Sequence, residues 1–494
     1  MKRRLMIAAA AILAALLAAW AAFDRAPQLP EPSAQLVQAQ QGLDEITIAA
    51  TLDPDVRTLG VRQTLQLTNR TGQRQNAVVL RTWPNVFQSL DTSPCAVDDD
   101  LYDLYYPDGF STGALVMSRA QVNGETVLYR YADTYKTVLS VPVPGGWETA
   151  ETVELQLEYV VQIPRMAYRF GVWENVFALG NAFAIPAVWQ DGAFRTDPYL
   201  SVGDPFVSDC ANYSVRVTVP EDYVCAGSGY PTVEKNRAER TYCFEAPAVR
   251  DFALVISDRF EQASQLQNGV LVTAYASTAS QARQLVVSAG KALGLYTSLW
   301  GEYPYQSFTL AQIHFPHGGM EYPALAMIGA EEIASGGRKL EYTVAHETAH
   351  QWWYALVGSD GWHQPWQDEA LCEFALLEYA EAQYGAGERA DLEQSRVESA
   401  MRVTVPQGVT PGSPLSAFAD MSEYSLVVYS RGAAYLCALD RTLPEGLNPF
   451  LRDYARAYAF ARATRDDFED QLAKSTGEDF AALTRDYLDT YILN

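Results

Sequence analysis

The chain has 494 residues, of which 48% are apolar and 19% charged. That is enough apolar material for two to four ordinary cores, and it excludes a globally disordered protein. Sixty acidic side chains stand against 36 basic ones, a formal net charge of −24, which argues against nucleic acid as a partner because that binding needs clustered Lys and Arg.

At the N-terminus, Lys2, Arg3 and Arg4 precede an unbroken apolar run from Leu5 to Phe23. This is the pattern of an export signal. The run is long enough for one membrane span, and the small residues Ala19, Ala21 and Ala22 also suit cleavage. Residues 1–23 are therefore expected to be an apolar anchor helix or a signal peptide. The basic residues before the run place the body outside the cytoplasm, either anchored to the cell membrane or secreted. Residues 24–42, rich in Pro, Ala and Gln, read as a tether.

From residue 43 to 262 the pattern has period two. The stretches starting at Val61, Val153 and Tyr213 alternate apolar with polar residues and end in turn residues. Such runs predict antiparallel strands with one buried face. The stretch from Trp173 to Phe206 is rich in aromatics, Gly and Pro and reads as ordered loop beside a cleft. Six cysteines are spread along the chain, none in a C-x-x-C pattern. Cys225 and Cys243 flank a strand-turn-strand pattern and are the candidate disulfide; buried free thiols are the alternative.

Residues 263–494 change to helical periodicity. Ala279 to Trp300 carries an apolar stripe at i, i+3 and i+4. Thr309 to Phe315 alternates like a strand, and the following P-H-G-G-M-E-Y-P cannot be helical. A helix is expected from about Arg338 to Gly358, with Gly358 as its C′ residue. A second helix holds Glu369, Cys372, Glu373 and Leu376. The rest reads as helices separated by loops, notably 404–414.

The first of those helices contains His346-Glu347-Thr-Ala-His350. Residues i and i+4 stand above one another on a helix, so both imidazoles aim at one point. Glu369, with eighteen residues between it and His350, is the candidate third ligand. The chain has only five histidines, all between His314 and His363. Two histidines and one carboxylate leave zinc an open position, the arrangement of a hydrolytic centre. Glu347 is rotated about 100° from His346 and can act as general base without being a ligand. Glu373 shares the face of Glu369; it either fixes a histidine tautomer or is solvated. His317 and His363 read as cleft-lining or hydrogen-bonded residues.

The spacing H-E-x-x-H, eighteen residues, Glu, within Trp366-Gln-Asp-Glu369, resembles the aminopeptidase N (alanyl aminopeptidase and leukotriene hydrolase) family of zinc metallopeptidases. Gly318-Gly319-Met320-Glu321 is similar to that family's Gly-x-Met-Glu-Asn element. The resemblance implies that these four residues bind substrate, with Glu321 on its free α-amino group. Val428-Tyr429-Ser-Arg-Gly432 is similar to the Tyr-x-Lys-Gly element, which gives Tyr429 the role of stabilising the oxyanion. The resemblance further implies one zinc ion per chain, an N-terminal antiparallel β-saddle domain and an α+β thermolysin-like catalytic domain. Tyr322 stands where the family has Asn. For the family's β-domain glutamine, Gln190 is the candidate. The chain ends 65 residues after Tyr429, so the family's long C-terminal helical domain is expected to be missing.

These features predict a zinc metallopeptidase that removes N-terminal residues from peptides outside the cytoplasm. An endopeptidase or other amide or epoxide hydrolase of the same fold is the second reading. An inactive surface binding protein with a metallopeptidase-like body is the third.

Overall fold

The computed structural model describes residues 29–96, 99–405 and 408–490. The first half is built on an eight-stranded sheet. Its strands run Thr232–Lys235, Glu239–Val249, Ala211–Pro220, Asp44–Asp53, Thr58–Thr68, Thr152–Gln162, Ala114–Val122 and Glu125–Thr126 across the sheet. In Asp44–Asp53, the residues Ile46, Ile48, Ala50 and Leu52 are buried and those between them are not. Each fully buried Ile or Leu contributes roughly 1.5–3 kcal/mol, and a one-residue slip would turn all of them to solvent. The sheet is mixed where an antiparallel one was expected. Asp44–Asp53 pairs in parallel with Ala211–Pro220, because the chain returns to the side of its first strand after a long excursion. Two four-stranded sheets and a two-stranded one, Trp189–Gln190 with Ala193–Phe194, complete this half among the described residues.

No disulfide forms among the six cysteines. Cys225 is buried on Val224–Gly227, in a different sheet from Cys243. The Cys243 thiol lies against Arg216 and Glu234 instead.

The second half starts with a five-stranded sheet in the order Glu261–Gln267, Val270–Ala276, Ser307–Ile313, Leu325–Gly329, Gly319–Tyr322. The helix Ala279–Trp300 crosses between the parallel strands Val270–Ala276 and Ser307–Ile313. Thr278 caps it, its side chain accepting from the Gln281 N–H. This helix packs on Gly337–Ala349, which carries His346. The Tyr296 hydroxyl lies 3.2 Å from the carbonyl of Ala345 and 3.1 Å from that of Ala375. One phenol thus fixes the spacing between Gly337–Ala349 and the next helix, Trp366–Tyr384.

The helix Gly337–Ala349 stops nine residues before Gly358, the end expected from sequence. Trp352 and Trp353 turn into an aromatic cluster with Tyr296 and Trp300. Burying two indoles there outweighs two further helical turns. Gly358 serves another end. A Cβ there would stand 2.5 Å from Arg250 Nη1. The buried Arg250 donates to the carbonyls of Tyr354 (2.9 Å) and Ser208 (3.2 Å), joining the two halves.

The second part of the expected tether is docked. Ala34–Ala39 is helical, Leu36 is buried, and Ser33 donates to the carbonyl of Pro304 at 3.1 Å. Leu36 supplies the apolar anchor that the composition of 24–42 conceals. The expected anchor or signal segment, residues 1–23, lies outside the described residues. Among the described residues no helix is long and apolar enough to cross a membrane.

Candidate metal centre

The helix Gly337–Ala349 and the N-terminal turn of Trp366–Tyr384 face each other across the floor of a cleft. His346 Nε2 and His350 Nε2 are 3.2 Å apart. Glu369 Oε2 lies 3.3 Å from the first and 3.5 Å from the second. Bonds of about 2.0–2.1 Å to a tetrahedral zinc require ligand atoms about 3.3–3.4 Å apart. The triangle of donor atoms therefore fits this ion, and it offers neutral nitrogen and carboxylate oxygen, the donors zinc takes.

The other ring nitrogens are also held. His350 Nδ1 donates to Asp368 Oδ1 at 2.7 Å, and His346 Nδ1 lies 3.3 Å from Glu373 Oε1. Both contacts leave the lone pair on Nε2, facing the metal position. Glu373 is itself gripped by Arg396, whose Nε and Nη2 donate at 2.9 and 2.6 Å. Burial acts to raise the Glu373 carboxyl, but Arg396 and then His346 outweigh it and bring it to about 2. Burial likewise opposes the charged form of Glu369, and the two histidines hold its carboxyl far below the usual range.

Glu347 is buried, and its Oε2 has no hydrogen-bond partner. Desolvation raises its carboxyl to about 7, against the pull of His346 and His350. A buried, unpartnered carboxylate oxygen beside a metal position is the arrangement a general base needs. Glu321 is buried on the edge strand Gly319–Tyr322. Its carboxylate comes within 4.8 Å of ligand atoms of Glu347 and His350. Tyr429 stacks on His346, with ring centroids 5.8 Å apart and planes at 9°. Burial, then Glu369, pushes its hydroxyl well above the ordinary phenol range, so it stays a donor. Tyr429 and Arg396 both sit on π-helical segments, Ser425–Arg431 and Glu393–Glu398, where the widened turn re-aims side chains.

Gly318, Gly319 and Met320 line the same cleft. The cleft holds a cavity of about 450 Å3 at the metal position and a neighbouring one of about 530 Å3 beyond Met320 and Tyr429. His317 lies at the rim and meets the hydroxyl of Tyr105 from the β-rich half. His314 and His363 are elsewhere, His314 near Glu174 at 3.7 Å and His363 against Arg195 and Asp360. Gln190 is not at the cleft: its amide oxygen accepts from Arg195 and Arg462. Cys372, with Asp368 and His350, forms a second group of metal-capable atoms, but His350 is shared with the main centre.

Sequence reasoning missed Asp368, Arg396 and Tyr105. Asp368 had a signal: it is an acid directly before the third ligand, in the same helical turn. Arg396 and Tyr105 had none, since each arrives from a distant segment.

A β-rich half packed on an α+β half carries a two-histidine, one-carboxylate group whose donors fit one zinc ion with an open position. Comparison with known proteins agrees. Residues 290–487 match the model of the peptidase family M1 domain. Aminopeptidase N of Lactobacillus helveticus is 24% identical over 365 residues, covering 69% of this chain and 43% of that one. Leukotriene A-4 hydrolase of Xenopus laevis is 26% identical over 180 residues, 35% of this chain and 29% of that protein. The chain thus spans less than half the length of these curated relatives. An M1 zinc metallopeptidase of Deinococcus radiodurans shares the fold at nearly full length. Its TM-score is 0.64 at 19% identity, covering 92% of this chain and 94% of that one. The three candidate ligands His346, His350 and Glu369, with Glu347 and Tyr429, all lie within the stretch that matches the M1 domain.

Proposed function

We propose that this protein is a zinc aminopeptidase that removes N-terminal residues from peptides. The observation that carries this reading is the carboxylate of Glu321, buried within 4.8 Å of Glu347 and His350 atoms. A carboxylate at that distance from the reacting groups accepts from a cationic α-ammonium, whose charge offsets the burial that raises the Glu321 carboxyl; the first peptide bond then reaches the centre, and an uncharged acylated N-terminus is disfavoured.

His346, His350 and Glu369 would hold the zinc. The ion supplies a Lewis acid that polarises the scissile carbonyl and acidifies the attacking water. Glu347 takes the proton of that water on its unpartnered oxygen and delivers it to the leaving nitrogen. Tyr429 donates its O–H to the oxygen of the polarised carbonyl as charge develops there. Glu321 accepts from the substrate ammonium throughout.

Support also comes from the relatives: the matched Lactobacillus proteins are named aminopeptidase N, and one Deinococcus radiodurans structure is described as bound to a Tyr-Ser-Ala substrate. The test pairs each free-amine aminoacyl substrate with its N-acetylated twin on zinc-loaded protein, with a chelator control. Strong preference for the free amine is expected. Equal rates would instead indicate an endopeptidase or other amide hydrolase, and zinc without turnover a binding protein. The basic residues and apolar run of residues 1–23 support a location outside the cytoplasm. A reporter fused after residue 42 tests this by its export.

A further inference from the structure

Gly319–Tyr322 is an edge strand. It pairs on one side only, with Leu325–Gly329, and ends the five-stranded sheet. Four residues held by one ladder form a weak platform for a carboxylate that must meet an ammonium to within a fraction of an ångström. The reinforcement lies in the residue after Glu321. Tyr322 is buried, and its hydroxyl donates to Asn181 Oδ1 at 3.1 Å. Asn181 belongs to the β-rich half and has a left-handed φ of 53°, which Asn tolerates better than other side chains. Its Nδ2 donates to Asp251 Oδ2 at 2.8 Å, and Asp251 Oδ1 accepts the N–H of Phe252 at 2.7 Å.

The β-rich half makes room for this phenol. A Cβ on Gly180 would stand 2.6 Å from Tyr322 Cζ, so only glycine allows the approach. On the opposite side Gln351, the residue after His350, clamps the same turn. Its Nε2 donates to the Tyr322 carbonyl at 3.1 Å, and its Oε1 accepts the Ala324 N–H at 2.9 Å. At Tyr322 the cleft strand, the turn that follows the helix Gly337–Ala349 and the β-rich half are therefore joined through buried hydrogen bonds.

We propose that Tyr322 is a positioning residue. Its hydroxyl, through Asn181 and Asp251, ties the cleft strand to the β-rich half, sets the place of the Glu321 carboxylate and so sets the preference for a free N-terminus. This rests on the aminopeptidase reading above. Tyr322 touches neither substrate nor metal in this scheme; it acts through Glu321. A backbone displacement of about 1 Å at such an anchor can cost up to a hundredfold.

The experiment compares wild type, Tyr322→Phe and Asn181→Gly on free-amine and N-acetylated substrates, with zinc content measured throughout. Phenylalanine keeps the buried ring, and glycine keeps the left-handed backbone. The expected result for each variant is a KM for free-amine substrates about tenfold higher, with kcat, zinc content and the N-acetylated rate within about twofold. The double variant should do no worse than either single one, because both break the same link. An unchanged KM in a folded, zinc-loaded Tyr322→Phe, or an equal loss on both substrates, overturns the proposal. A wild type without preference for the free amine brings down the aminopeptidase reading itself. A wild type that keeps the preference beside an unaffected variant brings down only the role of Tyr322.

Discussion

A Cβ on Gly319 would stand 2.5 Å from the carboxyl carbon of Glu347. The strand Gly319–Tyr322 and the helix Gly337–Ala349 approach so closely that the wall of the cleft has no side chain where it faces Glu347. The backbone at Gly319 is not in the left-handed region, so the constraint is space alone. Gly319→Ala should therefore fold and bind zinc, but displace the Glu347 carboxylate. A fall in kcat of about 10–100-fold is expected, with zinc content unchanged. Single-turnover kinetics and metal analysis check both halves of the statement.

Replacing Glu347 by Gln preserves volume and removes the base. General acid–base catalysis contributes about 10^2–10^4-fold, so Glu347→Gln should lose about a thousandfold in kcat while retaining stoichiometric zinc. A variant working at the wild-type rate would mean that another group takes the proton.

Tyr429→Phe keeps the ring that stacks on His346 and deletes only the donor. Removing one oxyanion donor costs about 10^2–10^3 in kcat. KM should change little, because the contact strengthens only as the carbonyl oxygen gains charge.

Glu373 lies against His346 Nδ1 and is held there by Arg396, so with zinc bound on Nε2 it would act on the ion through that ring. Glu373→Gln should weaken zinc binding about 10–100-fold, read by competition with a chromophoric chelator. Arg396→Ala should move affinity in the same direction, since it leaves the Glu373 carboxylate free to turn.

Asp251 supplies a pH-dependent stability. Burial raises its carboxyl to about 7 from 3.8, against the N–H of Phe252 and the amide of Asn181. A folded pKa above the unfolded one means that the native state holds its proton more tightly. The stabilisation is complete below the unfolded value and is lost as pH rises through the folded one, by about 4 kcal/mol at most. Asp251→Asn removes this slope and one hydrogen-bond acceptor. In urea unfolding the variant should be the less stable protein near about pH 5, and it should gain on wild type by about pH 8. Parallel curves for the two proteins would show that Asp251 ionises at the same pH in both states.

What was legible in the sequence followed from spacing along single elements. His346 and His350 share a helical face because of the 3.6-residue period, and the alternation of Ile46, Ile48, Ala50 and Leu52 marks a half-buried strand wherever it is placed. The end of the metal helix was not legible. Helix propensity alone would continue to Gly358, whereas the burial of Trp352 and Trp353 against Tyr296 and Trp300 ended it at Ala349. The pairing of Cys225 with Cys243 failed for a related reason: strands adjacent in sequence went to different sheets.

The sequence by itself brought together the candidate ligands His346, His350 and Glu369 and the candidate base Glu347, because those residues lie on or at the end of two neighbouring helices whose geometry is local. Glu321 and Tyr429 were legible only through family resemblance. Tertiary structure alone decided what holds these groups still. Asp368 turns to His350, Arg396 reaches Glu373 across 23 positions, and Asn181 meets Tyr322 across 141. No periodicity encodes such contacts, since they form only when the β-rich half packs against the sheet and the helices close over the cleft.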